Sequence, residues 1–148
     1  TDPRAELDKR AANLEKVAEK SNFTGQVIIP ANDMEDFKFV AEKRKDDREF
    51  GDACYACYEL RLDKTARYAK DMGYEYFTTS LSISPYKNAQ WLNEIGEKLE
   101  SDLGIKYLYA DFKKKDGYKR SIELSKEYDI YRQEYCGCIF SKREAEEK

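Results

Sequence analysis

The sequence predicts an α/β fold of three layers, in which helices flank a parallel β-sheet. The first observation is alternation, because short apolar strands at 23–29, 74–79 and 105–110 are separated by amphipathic helical segments. Strands that alternate with helices form βαβ units, which make neighbouring strands parallel. The second observation is size, because 148 residues with 41% hydrophobic side chains suffice for one core. We therefore expect residues 1–148 to form a single α/β metal-binding domain.

The first 53 residues of the sequence predict two helices and a strand. The first helix begins with Asp2 as N-cap and Pro3 at the first helical position, and it runs to about Lys20. The strand FTGQVII follows and stops at a proline, and Asn32 or Asp33 then caps the second helix. The predicted apolar faces are Leu7, Ala11, Leu14 and Ala18 in the first helix and Met34, Phe37, Val40 and Ala41 in the second.

The rest of the chain predicts four more helices and two strands. A helix from Cys54 to Met72 precedes the strand at 74–79, and a long helix capped by Ser84 begins at Pro85 and ends at Gly104. After the strand at 105–110 we expect a helix near 121–128 and a charged C-terminal helix capped by Ser141. The predicted buried residues are Tyr58, Leu62, Ala66 and Ala69 in the first of these helices and Leu92, Ile95, Leu99 and Leu103 in the long one.

Parallel sheets carry their functional sites at the carboxyl ends of the strands. In this chain those ends are the turn at 79–87 and the loop at 111–120, and the segments that bear the cysteines could reach the same edge. Strands of a parallel sheet are usually buried on both faces, yet only three strands are visible. We therefore expect a first strand upstream of Thr1 that this sequence lacks.

All four cysteines lie in two close pairs, Cys54 with Cys57 and Cys136 with Cys138. Each pair can bind a metal from one side, and Gly137 between the second pair allows backbone angles that a larger residue resists. A disulfide across C-x-C would be strained, whereas one across C-x-x-C is feasible on oxidation. The pattern thus favours a metal site, leaves zinc and iron–sulfur both open, and keeps a thiol–disulfide oxidoreductase that uses Cys54 and Cys57 as an alternative.

Composition excludes several classes of protein. The chain has no histidine, which removes Cys₂His₂ zinc sites and every catalytic triad or dyad that needs imidazole. A net charge of −3 argues against a generally basic nucleic-acid binder, although a local basic patch can still bind phosphate. We find no membrane-length apolar run and no signal peptide, and the reduced cysteine pairs therefore favour the cytoplasm.

From Cys54 onward the chain resembles the QueH-type epoxyqueuosine reductases. The resemblance depends on several blocks that occur in the right order, and any one alone would be unspecific. The first helix agrees more weakly. The blocks are CYACYELRLDKTA at 54–66, FTTSL at 77–81, SPYK at 84–87, DFK at 111–113 and YRQEYCGC at 131–138.

This resemblance implies a three-layer Rossmann-like (HUP-type) fold and a metalloenzyme that reduces epoxyqueuosine to queuosine at the wobble position of tRNA. It implies a [4Fe–4S] cluster beside a mononuclear iron, an unidentified electron donor and, as we expect, a monomer. The cysteines that match the family's metal ligands are Cys54, Cys57, Cys136 and Cys138. The family's adjacent cysteine pair after its first strand has no match here. The alternative is a non-catalytic zinc module that uses the same four cysteines.

A tRNA substrate needs partners for its phosphates and bases. Lys87 is predicted in the first turn of the helix that begins at Pro85, where backbone N–H groups attract anions. Asp111 could be a proton donor, a loop cap or the partner of a nearby lysine, and Gln133 is expected to order the cysteine loop through backbone hydrogen bonds. The candidate substrate-binding residues are Arg61, Lys87, Arg132, Lys113 and Tyr58.

Overall fold

The structure is a computed structural model that describes residues 3–31, 38, 42 and 51–148. Within this part of the chain lie five helices and a parallel sheet of two strands, which confirms a mixed α/β protein. The elements are α1 (Pro3–Lys20), α2 (Asp52–Asp71), β1 (Tyr76–Phe77), α3 (Ala89–Leu103), β2 (Lys106–Tyr107), α4 (Gly117–Glu127) and α5 (Ile139–Glu146). The predicted cap Asp2 and the predicted second helix, with its caps Asn32 or Asp33 and its face of Met34, Phe37, Val40 and Ala41, lie outside the described residues.

The two strands form one βαβ unit, because α3 connects β1 to β2. Tyr76 is paired with Lys106 and Phe77 with Tyr107 in parallel register. The Leu108 N–H donates to the Phe77 carbonyl oxygen at 3.0 Å, so the pairing extends one residue beyond β2. The predicted parallel arrangement of these two strands is therefore correct, although each is shorter than expected.

One apolar cluster joins α2, α3 and the sheet. Leu62 and Leu92 are its most deeply buried large side chains, with exposed fractions of 2% and 0%. The helical periodicity predicted this core correctly, except that Leu103 is only partly buried. The cluster consists of Tyr58, Leu62, Ala66, Ala69, Phe77, Leu92, Ile95, Leu99, Ile105 and Tyr107.

The strand predicted at 23–29 does not form. Its apolar side chains are exposed, with 58% of Phe23 and 49% of Ile29 accessible to solvent. The Phe23 N–H donates to the Ala18 carbonyl oxygen at 2.9 Å and ends α1, and the ring of Phe23 folds back over Gly25. Apolar composition alone cannot make a strand, because a strand also needs a neighbouring strand to satisfy its backbone groups.

Three predicted helix starts are also wrong. Helix α4 begins at Gly117 and not near Ser121. The long helix begins at Ala89 and not at Pro85, because Asn88 is the N-cap and its side-chain oxygen accepts the Trp91 N–H at 3.1 Å. The C-terminal helix is capped by Cys138, whose sulfur accepts the Ser141 N–H at 3.3 Å. The residues before Asn88 form a 3₁₀ turn at Leu81–Ile83 and a second turn closed by Lys87, so Lys87 precedes the helix.

Candidate functional site

The candidate site lies where the N-terminal end of α2 meets the loop 129–138, which we call the cysteine loop. Asp52 begins α2, so Cys54 and Cys57 lie in its first two turns. Residues three apart in a helix lie on the same side, so both thiols project from one face of α2. All four cysteines are among the described residues, and no disulfide joins any of them.

Lys87 connects this end of α2 with the cysteine loop. Its side chain is only 9% exposed, and its ammonium nitrogen lies 2.8 Å from the Cys136 sulfur. Burial lowers the pKa of Lys87, but the hydrogen bond to Cys136 and the electrostatic interactions with Cys136, Tyr58 and Cys54 outweigh burial and raise it above its ordinary value. Lys87 therefore carries a positive charge in a mostly buried place, with sulfur as its partner.

The second cysteine pair also acts electrostatically on Cys57. Burial raises the pKa of the Cys57 thiol, the charge of Arg61 lowers it, and Cys136 and Cys138 raise it further. This effect indicates that Cys136 and Cys138 lie near enough to Cys57 for their charge to act on its thiol. A raised pKa is the opposite of what the oxidoreductase alternative requires of Cys57, since a reactive thiol needs a lowered one.

Helix α1 holds the cysteine loop through Arg10. The Arg10 guanidinium donates to the carbonyl oxygens of Cys136 and Tyr135 at 2.9 and 3.0 Å, and its Nε donates to Glu6 at 2.8 Å. The Arg10 hydrogen bond is the main reason that the pKa of Glu6 is lowered. One arginine thus binds the backbone next to the second cysteine pair from a helix more than one hundred residues earlier.

Further polar side chains of α1 extend these contacts along the loop. Asn13 donates to the Tyr131 carbonyl oxygen at 3.0 Å, and Lys16 donates to the Asp129 carbonyl oxygen. Lys9 places its ammonium 3.4 Å from the centre of the Tyr131 ring. The helical spacing of these side chains is the signal that sequence reasoning missed, because it tracked only the apolar face of α1.

Gly137 is required by the geometry of the cysteine loop. Its φ of 113° is one that side-chain-bearing residues rarely adopt, and a Cβ there would lie 2.5 Å from the Arg10 Nη1. The loop is also closed from its C-terminal side, because the Cys136 N–H donates to the Ser141 hydroxyl at 3.0 Å. The positive φ of Gly137 therefore supports the prediction that this position needs a glycine for its backbone angles.

The predicted substrate-binding residues do not all lie at this site. Arg61 acts on Cys57 from the next turn of α2, and Tyr58, which is only 4% exposed and belongs to the core, interacts electrostatically with Lys87. Lys113 lies in the loop after β2 and pairs with Asp111 at 3.2 Å. Asp111 also accepts the Lys113 N–H at 3.3 Å, so it is both a loop cap and the partner of a lysine.

The two polar residues in the middle of the cysteine loop differ from each other. Arg132 donates to the Ser125 hydroxyl at 2.8 Å and to the Ser121 carbonyl oxygen at 3.2 Å, and so ties the loop to α4. Gln133 is exposed and makes no hydrogen bond to any described residue. The expected ordering role of Gln133 is therefore wrong, because α1 and α4 supply those hydrogen bonds instead.

The donor chemistry of the two cysteine pairs fits a thiophilic metal site. Four thiolates are the donor set of structural zinc and of iron–sulfur clusters. Across the described residues, however, no three side chains of cysteine, aspartate or glutamate are gathered closely enough to hold a metal ion. The four cysteines are thus suitable in kind, and their role as ligands remains a prediction.

Comparison with known proteins supports the family resemblance described in the sequence analysis. A family model described as epoxyqueuosine reductase QueH matches residues 1–144.

Among the helices of the described segments, none has both the length and the apolar character of a membrane span.

Curated relatives bear the same name. A Streptococcus pyogenes protein named epoxyqueuosine reductase QueH is 40% identical over 145 residues, covering 95% of this chain and 57% of that protein. A Thermotoga maritima protein of the same name is 36% identical over 149 residues, covering 99% of this chain and 77% of that protein. This chain thus spans little more than half the length of the Streptococcus relative. The chain belongs to the epoxyqueuosine reductase QueH family.

Proposed function

We propose that this protein acts as an oxidoreductase on tRNA and reduces epoxyqueuosine to queuosine at the wobble position. The observation that carries the proposal is the hydrogen bond from the buried Lys87 ammonium to the Cys136 sulfur, in a chain that matches the family over residues 1–144. The relatives' name, epoxyqueuosine reductase, indicates the reaction, and this chain has the thiols and the buried ammonium.

The reaction defines what the site has to provide. Both C–O bonds of the epoxide break, a C=C bond forms, and the oxygen leaves as water after it takes up two electrons and two protons. No side chain supplies electrons on this scale, so an external reductant and a redox cofactor are needed. We propose Cys54, Cys57, Cys136 and Cys138 as ligands of a [4Fe–4S] cluster and a mononuclear iron, which when bound would relay electrons and polarise the epoxide oxygen.

The protein's own side chains would control the charge around the four cysteines and the position of the Cys136 backbone. Lys87 offsets the negative charge of the thiolates, which would otherwise repel each other and an incoming polyanionic RNA. Arg61 acts in the same way on Cys57. Arg10 and the Ser141 hydroxyl keep the Cys136 backbone in place, so the thiol stays oriented toward Lys87.

We also propose that β1 and β2 belong to a larger three-layer Rossmann-like (HUP-type) sheet. Their parallel register and the helical connection between them are typical of such a sheet. The site would then lie beyond the carboxyl ends of the strands, where the turns after β1 and β2 meet through the hydrogen bond from the Phe112 N–H to the Ser82 hydroxyl at 3.1 Å. Thiols that stay reduced suit a protein that works in the cytoplasm.

Anaerobic reconstitution with iron and sulfide tests the proposal. We expect a brown protein whose broad visible absorption is bleached by dithionite, and a tRNA product that has lost one oxygen atom by mass. Cys136→Ser should remove most of the absorption, whereas Ser101→Ala, an exposed change on α3, should not.

The alternative is a zinc module that uses the same cysteines. It predicts a colourless protein that keeps zinc under the same conditions and loses roughly 10 kcal/mol of apparent stability when a chelator removes it. That outcome would exclude the reductase and leave the cysteines with a structural role.

A further inference from the structure

A cavity of about 300 Å³ lies beside the cysteine loop, and none of the cysteines lines it. It is bounded by α1, the 3₁₀ turn, α4 and the loop residues 131–133. A volume of this size is at the lower end of small-molecule sites, so it suits one nucleoside-sized group and no larger ligand.

The two arginines that line the cavity differ in what they can still bind. Arg10 has its guanidinium committed to Glu6 and to two carbonyl oxygens of the loop. Arg132 donates only through Nη1, and within the described residues no carboxylate lies within ion-pair distance of it. Arg132 therefore brings to the cavity a positive charge that has the Tyr118 ring but no carboxylate as partner among the described residues, with N–H groups left for an anion.

The other lining groups offer hydrogen bonds and a flat apolar surface. The Asn13 side chain uses its NH₂ group on the loop and leaves its oxygen without a partner among the described residues. The Gln133 amide makes no hydrogen bond there at all. Tyr131 and Ile83 supply a ring and an aliphatic wall. Amides next to an aromatic ring are the means by which proteins hold an unstacked base.

We propose that this cavity binds one nucleotide of a single-stranded RNA loop, with a phosphate on Arg132 and the base against Tyr131, Asn13 and Gln133. An anion with a planar polar ring is the ligand that satisfies both the charge and the amides. The inference deepens the proposed function and rests on it, because RNA is the substrate that would bring such a nucleotide to the site.

The position of the cavity next to the cysteine loop indicates a nucleotide that flanks the modified base. Arg10 lines the cavity and at the same time donates to the Cys136 carbonyl oxygen at 2.9 Å. A nucleotide in the cavity would therefore contact the same loop that carries the second cysteine pair. The cavity would bind a nucleotide that flanks the modified base and hold the RNA in register.

Binding of a short RNA stem-loop to the metal-free chain, followed by fluorescence anisotropy at several salt concentrations, tests the proposal. Arg132→Gln should weaken binding about tenfold and reduce the slope of log K against log salt by about 0.7, as expected for one lost phosphate contact on a single strand. Arg67→Gln is the control, because it removes the same charge from an exposed ion pair on α2 and should change binding less than about twofold.

A second variant and a second probe remove the remaining ambiguity. Gln133→Glu places a negative charge at the cavity without removing any described hydrogen bond, so the fold should persist while RNA binding falls severalfold. In NMR spectra the side-chain amides of Asn13 and Gln133 should shift with uridine or guanosine 5′-monophosphate and should not shift with inorganic phosphate alone.

Two results would overturn the nucleotide site. The first is equal weakening by Arg132→Gln and Arg67→Gln, which would mean non-specific attraction by charge. The second is amide signals that no nucleotide moves. Neither measurement needs metal or turnover. A chain that shows these shifts but reduces no substrate after anaerobic reconstitution with iron, sulfide and a reductant would contradict the reductase and leave the nucleotide site standing.

Discussion

Two parts of this molecule are held together by different forces. In the part built from α2, α3 and the sheet, apolar side chains are packed out of water, and Leu92 has no exposed surface. In the part built from α1 and the cysteine loop, the long-range contacts are hydrogen bonds from Arg10, Asn13 and Lys16 to backbone carbonyl oxygens. The apolar part should govern global stability, whereas the polar part should govern the geometry of the site.

The largest expected effect comes from the apolar part. Leu92→Ala should lower the free energy of unfolding by about 3 kcal/mol, because it leaves a cavity in a fully buried place. Leu14→Ala on α1 is the matched control, since that side chain is 53% exposed and should matter by less than about 0.5 kcal/mol. Urea denaturation measures both. Equal losses would mean that α1 is packed as tightly as the core, contrary to the comparison.

Arg10→Ala should have the next largest effect and should act mainly on the cysteine loop. Loss of a charged donor to two carbonyl oxygens should cost about 2 kcal/mol. Alkylation of Cys136 and Cys138 should become faster relative to that of Cys54 and Cys57, as mass spectrometry of the labelled peptides would show.

Arg67→Ala provides the control for Arg10. Like Arg10, Arg67 binds a carboxylate one turn earlier at 2.8 Å, but it is exposed and holds no loop. The Arg67 variant should leave both stability and alkylation almost unchanged. If it matched Arg10→Ala, the effect would come from the helix pair and not from the loop.

Gly137→Ala sharpens the comparison within the loop. It should cost about 1.5 kcal/mol, because φ is 113° and the added Cβ would come within 2.5 Å of the Arg10 Nη1. Gly104 also has a positive φ but has open space around it, so Gly104→Ala should cost about 1 kcal/mol. The stability cost of Gly137→Ala should become smaller in an Arg10→Ala background, and a double-mutant cycle measures that change. If Gly137→Ala costs the same stability with and without Arg10, the guanidinium does not constrain the glycine.

The smallest expected effect is the pH dependence of the Glu6–Arg10 pair. The Arg10 hydrogen bond lowers the pKa of Glu6 from its ordinary value of 4.5, so the stability that this carboxylate contributes is present above pH 4.5 and is lost as pH falls through the lowered value. The difference in unfolding free energy between the wild type and Glu6→Gln should therefore vanish in acid. A difference that stays constant with pH would contradict an ionic contribution.

The sequence predicted some parts of the structure better than others, for physical reasons. Leu62, Ala66, Leu92 and Ile95 were found because apolar spacing reports a buried helix face directly. The helix start at Asn88 was missed, because Ser84 followed by proline is an equally good local signal and only the completed turn shows which residue caps. The 23–29 segment failed as a strand because pairing depends on neighbours that composition does not reveal.

The candidate site shows the same division. The two cysteine pairs could be read from spacing, as could a glycine between Cys136 and Cys138. The hydrogen bonds of Arg10 to the cysteine loop could not be predicted, because a polar residue on an amphipathic helix looks the same whether it faces water or a distant carbonyl. Nor could the lack of hydrogen bonds from Gln133 to the described residues, because the sequence does not show which segments pack against the loop.

By itself the sequence determined the family, the mixed α/β class, the apolar core of α2 and α3, and the identity of the thiols that could bind a metal. These follow from local spacing and residue chemistry, which the order of amino acids states directly. Only the tertiary structure decided that Lys87 is buried against Cys136, that α1 holds the cysteine loop by its polar face, and that a cavity opens beside Arg132. Those features join residues far apart in the chain, and such contacts arise only when folding brings separate segments together.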